Sequence, residues 1–268
     1  MSRSKVKNLL LLKQIHSAVS FIKKGKLDKA LETLDKAEKS ARKERSKDTL
    51  YYILFTRGGI LFTASKYDAA LETYEKALEV GMELLKADPE NPDYLHYMGT
   101  TLSNTGNLLR EKGENDRAAS YYIRAHEIYS SLVAQNPENV VFRSYAADNL
   151  NNYATFLTRT GSFKRACEIF GELIEIYEKL FEEKPDNVGY QAELSIALSQ
   201  FGSCLMLQTQ ENKDKDKDRD KDKDENIATA KQNLERALAL QESLLTQQPD
   251  NEKIKEAISQ TRKRLENI

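Results

Sequence analysis

Apolar residues recur along the chain at helical spacing, in blocks separated by short polar or proline-marked breaks. In one block Ala70, Tyr74, Ala77 and Leu78 fall at i, i+4, i+7 and i+8, one face of an α-helix. Ala118, Tyr122 and Ala125 repeat the pattern, as do Ala166, Phe170 and Leu173. A polar break precedes each helix: Ser65-Lys66, Gly113-Glu114 or Gly161-Ser162. Each ends near a proline, because the residue before proline is pushed out of the helical region. The predicted element is helix, tight turn, helix, proline-marked turn.

Two sets of landmarks make this element a repeat. Pro89, Pro137 and Pro185 stand 48 residues apart, each followed by an acidic residue and an asparagine, and Pro249-Asp250-Asn251 follows after 64. Gly58, Gly106, Ala154 and Gly202 keep the 48-residue spacing, and so do Ala70, Ala118 and Ala166, with Ala230 again 64 further on. The longer last interval contains a run from Lys213 to Asp224 in which cations and carboxylates alternate. Such a run offers no apolar face, so a disordered loop is expected over about 210–226. The units expected in a single domain are about 8–44, 50–90, 92–138, 140–186 and 188–250. In the final segment, 251–268, Ile254, Ala257, Ile258 and Leu265 share one face and Lys255, Arg262, Lys263 and Arg264 the other. This predicts an amphipathic capping helix, with a dimerisation helix as the alternative.

The residues Gly58, Leu61, Tyr67, Ala70, Tyr74 and Ala77 resemble the tetratricopeptide repeat signature, as do Gly106, Leu109, Gly113, Ala118, Tyr122 and Ala125. Weaker versions open the array (Ala18, Phe21, Gly25, Ala30, Leu34) and close it (Gly202, Leu205, Ala230, Leu234, Ala237). That family's common repeat is about 34 residues, so a longer period implies about two extra turns in each helix. The resemblance implies an all-α fold: a right-handed α-solenoid of antiparallel helix pairs, closed by the C-terminal helix. It also implies a protein–protein interaction scaffold that holds an extended peptide or protein segment in a concave groove.

In the family, the first helix of each unit lines that groove. The inward positions map to Thr100, Ser103, Asn104, Asn107 and Glu111, with Arg110 adjacent, then to Asp148, Asn151, Asn152, Thr155 and Arg159. In the fifth unit they map to Ile196, Ser199, Gln200, Ser203 and Leu207. Asn104, Asn107, Asn151 and Asn152 could pair with a guest's main chain, since an amide both donates and accepts. Arg110 and Arg159 would favour an acidic guest, and Gln200 extends the wall. Tyr52 and Phe55, with Phe62 nearby, would form an apolar anchor pocket. The carboxylate clamp of chaperone-binding members is argued against. Asn107 and Asn152 fit it, but Ser103, Ile196 and Gln200 stand where it needs cations.

Charge narrows the partner class. Forty-one basic residues balance 42 acidic ones, a poor composition for displacing phosphate counterions, so no nucleic-acid partner is expected. The cation-rich stretch Lys36–Lys47 is expected to be a solvated connection between helices. Cys167 and Cys204 lack metal or CxxC spacing and are expected to be free thiols in apolar helices. The apolar run Leu9–Leu12 stops at Lys13, too short for a signal peptide. No segment reaches the roughly 20 apolar residues that cross a bilayer, so no membrane partner and a cytoplasmic location are expected.

Phosphate loops, HExxH and GxSxG are missing from the sequence, and His16, His96 and His126 fall at unrelated positions. The expectation is no enzyme, no catalytic residue, no metal and no cofactor. Two other readings stand beside the scaffold: a homo-oligomeric structural repeat protein, with a possible homodimer, and a helical-repeat RNA-binding protein.

Overall fold

The computed structural model describes the backbone of residues 3–212 and 220–268, and the side chains of 13–211 and 223–268. The described residues form eleven helices: α1 (Arg3–Lys23), α2 (Leu27–Glu44), α3 (Lys47–Thr63), α4 (Tyr67–Ala87), α5 (Pro92–Glu111), α6 (Asn115–Gln135), α7 (Val140–Arg159), α8 (Phe163–Glu183), α9 (Val188–Asn212), α10 (Asp220–Gln247) and α11 (Glu252–Glu266). No strand occurs among them. The fold is an all-α solenoid of antiparallel helix pairs with a helix packed on its C-terminal end.

The turns inside the pairs are built alike. Gly25, Ser65, Gly113 and Gly161 all take positive φ. In the α3–α4 turn, Ser65 N–H donates to Phe62 O and Lys66 N–H to Leu61 O; in the α5–α6 turn, Gly113 and Glu114 donate to Arg110 and Leu109. These bonds satisfy the last carbonyls of the first helix while reversing the chain. Between pairs, the asparagine after each proline motif opens the next helix. Asn91 Oδ1 accepts from Asp93 and Tyr94, Asn139 from Val141 and Phe142, Asn187 from Gly189 and Tyr190, and Asn251 from Lys253 and Ile254. Each such cap is worth about 1 kcal/mol. The proline thus ends one helix and the asparagine starts another.

Two compact bodies divide the chain, one ending at Asn136 and the other running from Pro137 to Ile268. In the first, α1 to α6 pack each on the next, and α3 also touches α1 and α5. Its core is layered. Ala18, Ala30, Leu34, Ala37, Ile53 and Ile60 form one cluster, Tyr51, Leu54, Ala77 and Leu84 another, and Leu78, Met98, Leu102 and Ala125 a third. Full burial of a Leu or Ile side chain contributes about 1.5–3 kcal/mol. Small residues in these layers let the helices approach. Gly58 lies under the ring of Tyr74, where an added Cβ would stand 2.5 Å from ring carbon, and Gly106 lies under Tyr122.

The second body packs α7 on α8, α8 on α9, α9 on α10 and α10 on α11. Arg143, buried near the start of α7, holds Glu183 at the end of α8 through two hydrogen bonds of 2.7 and 2.6 Å. The end helix α11 buries Ile258 and Thr261; its Arg264 donates to Ser199 Oγ at 2.5 Å, and Arg262 pairs with Glu242 on α10 at 2.7 Å.

Two expectations change in detail. The stretch 36–44 is not a connection: α2 continues through Glu44, because Ala37 and Ala41 extend its buried stripe while Lys36 and Arg42 pair with Glu32 and Glu38 on its outer side. The charged run is entered from both sides by helix, α9 reaching Asn212 and α10 starting at Asp220, and 213–219 lie outside the described residues.

Candidate functional site

In the first body, the outer stripe of α3 and α5 is aromatic at one end and amide-bearing at the other. Tyr52 and Tyr97 meet edge to face with ring centroids 4.7 Å apart, and their hydroxyls are in contact. Beneath them the buried Tyr51 stacks on Tyr97 at 5.3 Å and hydrogen-bonds Thr101 and the Tyr97 carbonyl. Burial pushes the Tyr51 phenol well above its ordinary pKa, so the hydroxyl stays protonated as a donor. Phe55 packs parallel to Tyr51 at 6.3 Å and also meets Tyr74.

Two asparagines follow on α5, one engaged by a tyrosine of the neighbouring second helix and the other close to one. Tyr122 on α6 donates its hydroxyl to Asn107 Oδ1 at 2.6 Å. The Tyr74 side chain of α4 lies near the Asn104 side chain. Both tyrosines are fully buried along their rings, so each is a rigid post that ends in a polar tip. With Oδ1 of Asn107 already accepting, its two amide N–H groups remain for an incoming acceptor.

The second body offers a different surface. On α7 and α9, Asp148 and Glu193 are partly exposed carboxylates, both with raised pKa: Asp148 because of burial, Glu193 because of burial and then the charge of Asp148. Neither has a cationic partner among the described residues. Around them Tyr145 and Ile196 are exposed apolar side chains, and Leu207 lies further along α9.

Sequence comparison matches residues 147–187 to the tetratricopeptide repeat and residues 54–159 to a family described as a protein of unknown function (DUF2753). Residues 147–187 thus carry a tetratricopeptide repeat. No curated protein of similar sequence is found. Among solved structures, this repeat protein is similar to kinesin light chain TPR-like repeats of Podosopora anserina, with 18% identity, a TM-score of 0.58, and coverage of 86% of this chain and 94% of that one. It is also similar to BtubC (BKLC) from P. vanneervenii, with 17% identity, a TM-score of 0.56, and coverage of 91% and 93%. The apo form of RapI matches at 16% identity with a TM-score of 0.62, covering 100% of this chain and 67% of that one. At these identities the likeness establishes the fold.

Within this repeat protein, the anticipated residues are distributed unevenly. Tyr52 and Phe55 flank Tyr51 on α3, whereas Phe62 packs on Tyr67 at the α3–α4 turn, with centroids 5.8 Å apart. Arg110 directs Nε and Nη2 at the carboxylate of its neighbour Glu111, at 3.2 and 2.9 Å. Asn151 and Asn152 are half-buried on α7, and Arg159 is exposed at its last turn. Gln200 is half-buried on α9 with its Oε1 shielded from water and without a partner. Ser199 turns to α11, where it meets Thr261 and Arg264.

Tyr97, Tyr145 and Glu193 were not among the mapped positions. Each lies three residues, or one helical turn, before a mapped one (Thr100, Asp148 and Ile196). A first helix as long as the 20 residues of α5 carries its exposed stripe a turn earlier than the common repeat does. The signal was available in the 48-residue spacing of these three positions.

No helix is long and apolar enough to cross a membrane, and no group of three metal-ligating side chains occurs, both among the described residues.

Proposed function

We propose that this repeat protein is a scaffold that holds an extended segment of another protein against the exposed stripe of its first helices. The observation that carries this reading is Asn107 on α5, fixed by the buried Tyr122, with Asn104 one turn before it near the buried Tyr74. An amide held in one orientation before the guest arrives loses little entropy on binding. Asn107 then offers two N–H donors to a main-chain carbonyl, which grips a strand-like segment with little regard to its side chains. The ring pair Tyr52–Tyr97 and the partly buried Phe55, earlier on the same stripe, supply apolar contact for one hydrophobic side chain.

The charge of the preferred guest follows from the carboxylates. Arg110 is already paired with Glu111, so it adds little attraction for an acidic guest. Asp148 and Glu193 repel each other in a partly desolvated place, and a lysine or arginine between them would relieve that repulsion. A basic residue flanked by apolar ones is therefore the side-chain pattern favoured at α7–α9.

The test uses peptides selected from a displayed random library on the immobilised full chain, with affinity read by fluorescence anisotropy. Asn104→Ala and Asn107→Ala should each weaken the selected peptides about tenfold, or ~1.4 kcal/mol. Peptides that bind both variants as tightly as the parent chain would reject the stripe as the binding surface.

A further inference from the structure

We infer that Cys167 and Cys204 are a thiol–disulfide modification site, which a hydroperoxide converts to a bond tying α8 to α9. The two residues are 37 positions apart in sequence, yet their sulfurs lie 2.9 Å from each other, closer than non-bonded sulfurs in ordinary contact, with the Cys167 thiol donating to Cys204 Sγ. Both are reduced and buried. A covalent S–S bond is about 2.05 Å long, so closing the gap needs a shift of under ~1 Å shared between two side chains. Ordinary apolar packing does not require sulfur to face sulfur.

Cys204 is fully enclosed, whereas Cys167 keeps 8% of its surface open to solvent. The hydrogen bond from Cys167 favours the thiolate on Cys204 and disfavours it on Cys167, so access and reactivity are divided between the two sulfurs. Cys204 donates to the Phe163 carbonyl at 3.4 Å and has the Thr158 hydroxyl 4.0 Å away, contacts that hold its sulfur beside Cys167. In the reaction one of the two sulfurs takes one oxygen from hydrogen peroxide as the O–O bond breaks, and a water leaves; the product is a sulfenic acid. The other sulfur then attacks that sulfur, the S–O bond breaks, and the hydroxide leaves with the attacking thiol's proton as a second water. The sum is two thiols and one hydrogen peroxide giving one disulfide and two waters, with both sulfurs oxidised and peroxide reduced.

The bond would pin the helix that carries Glu193, Ile196 and Gln200 to its neighbour. It would also close a loop of 37 residues in the unfolded chain, which raises thermal stability.

The experiment treats the reduced full-length chain, under native conditions, with a few equivalents of hydrogen peroxide and removes the excess. The expected result is loss of two hydrogens in the intact mass and no thiol left for maleimide after denaturation. Dithiothreitol should restore both thiols and lower the melting temperature to that of the reduced chain. Cys167→Ser and Cys204→Ser should each abolish the intramolecular product and the temperature shift. The wild-type measurement stands even where a variant folds poorly. Two thiols still titratable in the treated wild-type chain would overturn the inference, as would sulfinic acid or an intermolecular dimer as the main product.

Discussion

Tyr122 reaches Asn107 across the α5–α6 pair, its hydroxyl 2.6 Å from Oδ1, and its ring crosses directly over Gly106 on the way. One residue of the second helix therefore fills the core and fixes the amide on the outer stripe. Tyr122→Phe should separate the two tasks. Its ring burial is kept and one hydrogen bond is lost, which costs about 1 kcal/mol of stability by chemical denaturation. Affinity for a selected peptide should fall with it, because the amide becomes free to turn. Unchanged affinity would show that Asn107 needs no fixing.

Glycines in these helices differ in what they make room for, and alanine substitution should rank them. At Gly58 an added Cβ would meet the buried Tyr74 ring at 2.5 Å; at Gly106 the nearest atom is 3.1 Å away; at Gly171 nothing lies within 4 Å. Gly58→Ala should lose about 1–2 kcal/mol, since overpacking exceeds the gain in helix propensity. Gly171→Ala should gain about 0.5–1 kcal/mol, with Gly106→Ala between them. Thermal denaturation of the three variants checks the order, and a gain at Gly58 would contradict the packing described.

Among the described turns inside the pairs, Ser65 is the one residue other than glycine at the positive-φ place, at φ 57. Its Cβ is strained there, where Gly25, Gly113 and Gly161 have none. Ser65→Gly should stabilise the chain by about 1 kcal/mol in a denaturant titration. A neutral or destabilising result would mean that the serine side chain does more for the turn than its strain costs.

The repeating helix pairs were legible because both of their causes are local. A face of Ala70, Tyr74 and Ala77 reads as helix without knowledge of its neighbour, and Gly113 or Gly161 reads as a turn. The asparagines at 91, 139, 187 and 251 were visible too, but as part of a stop signal; they cap the helices that follow. What the sequence hides is proximity between distant positions. Nothing near Cys167 marks Cys204 as its neighbour, and nothing near Arg143 announces a buried guanidinium waiting for Glu183. The stripe was mapped in a register set by shorter repeats, which is why it took in Asn104 and Asn107 and left out Tyr97 and Glu193.

Arg143 and Glu183 form an unequal pair, with side chains 6% and 40% exposed. Removing the carboxylate strands a buried cation, whereas removing the cation leaves a carboxylate that water can still reach. Glu183→Ala should therefore destabilise the chain more than Arg143→Met, whose apolar side chain retains much of the packing. Equal losses in a urea titration would contradict this asymmetry.

The acid side of the stability profile should contain two opposing contributions. The Arg143 hydrogen bonds hold the Glu183 pKa below its ordinary value. That contribution is present above the unfolded carboxylate pKa and is lost as pH falls through the lower folded value. Asp148 and Glu193 are shifted the other way, by burial and, for Glu193, by the charge of Asp148. In the interval above the unfolded pKa the folded chain binds more protons there than the unfolded one, so stability rises as pH falls through their raised folded pKa values. Asp148→Asn and Glu193→Gln should each raise the melting temperature at neutral pH, and the gain should shrink toward acid pH, where the native carboxyls are neutral as well. A basic peptide bound at this place should erase the same gain, because its cation removes the repulsion that the amides avoid. If neither variant stabilises the chain at neutral pH, the two carboxylates are too well solvated to select a cation.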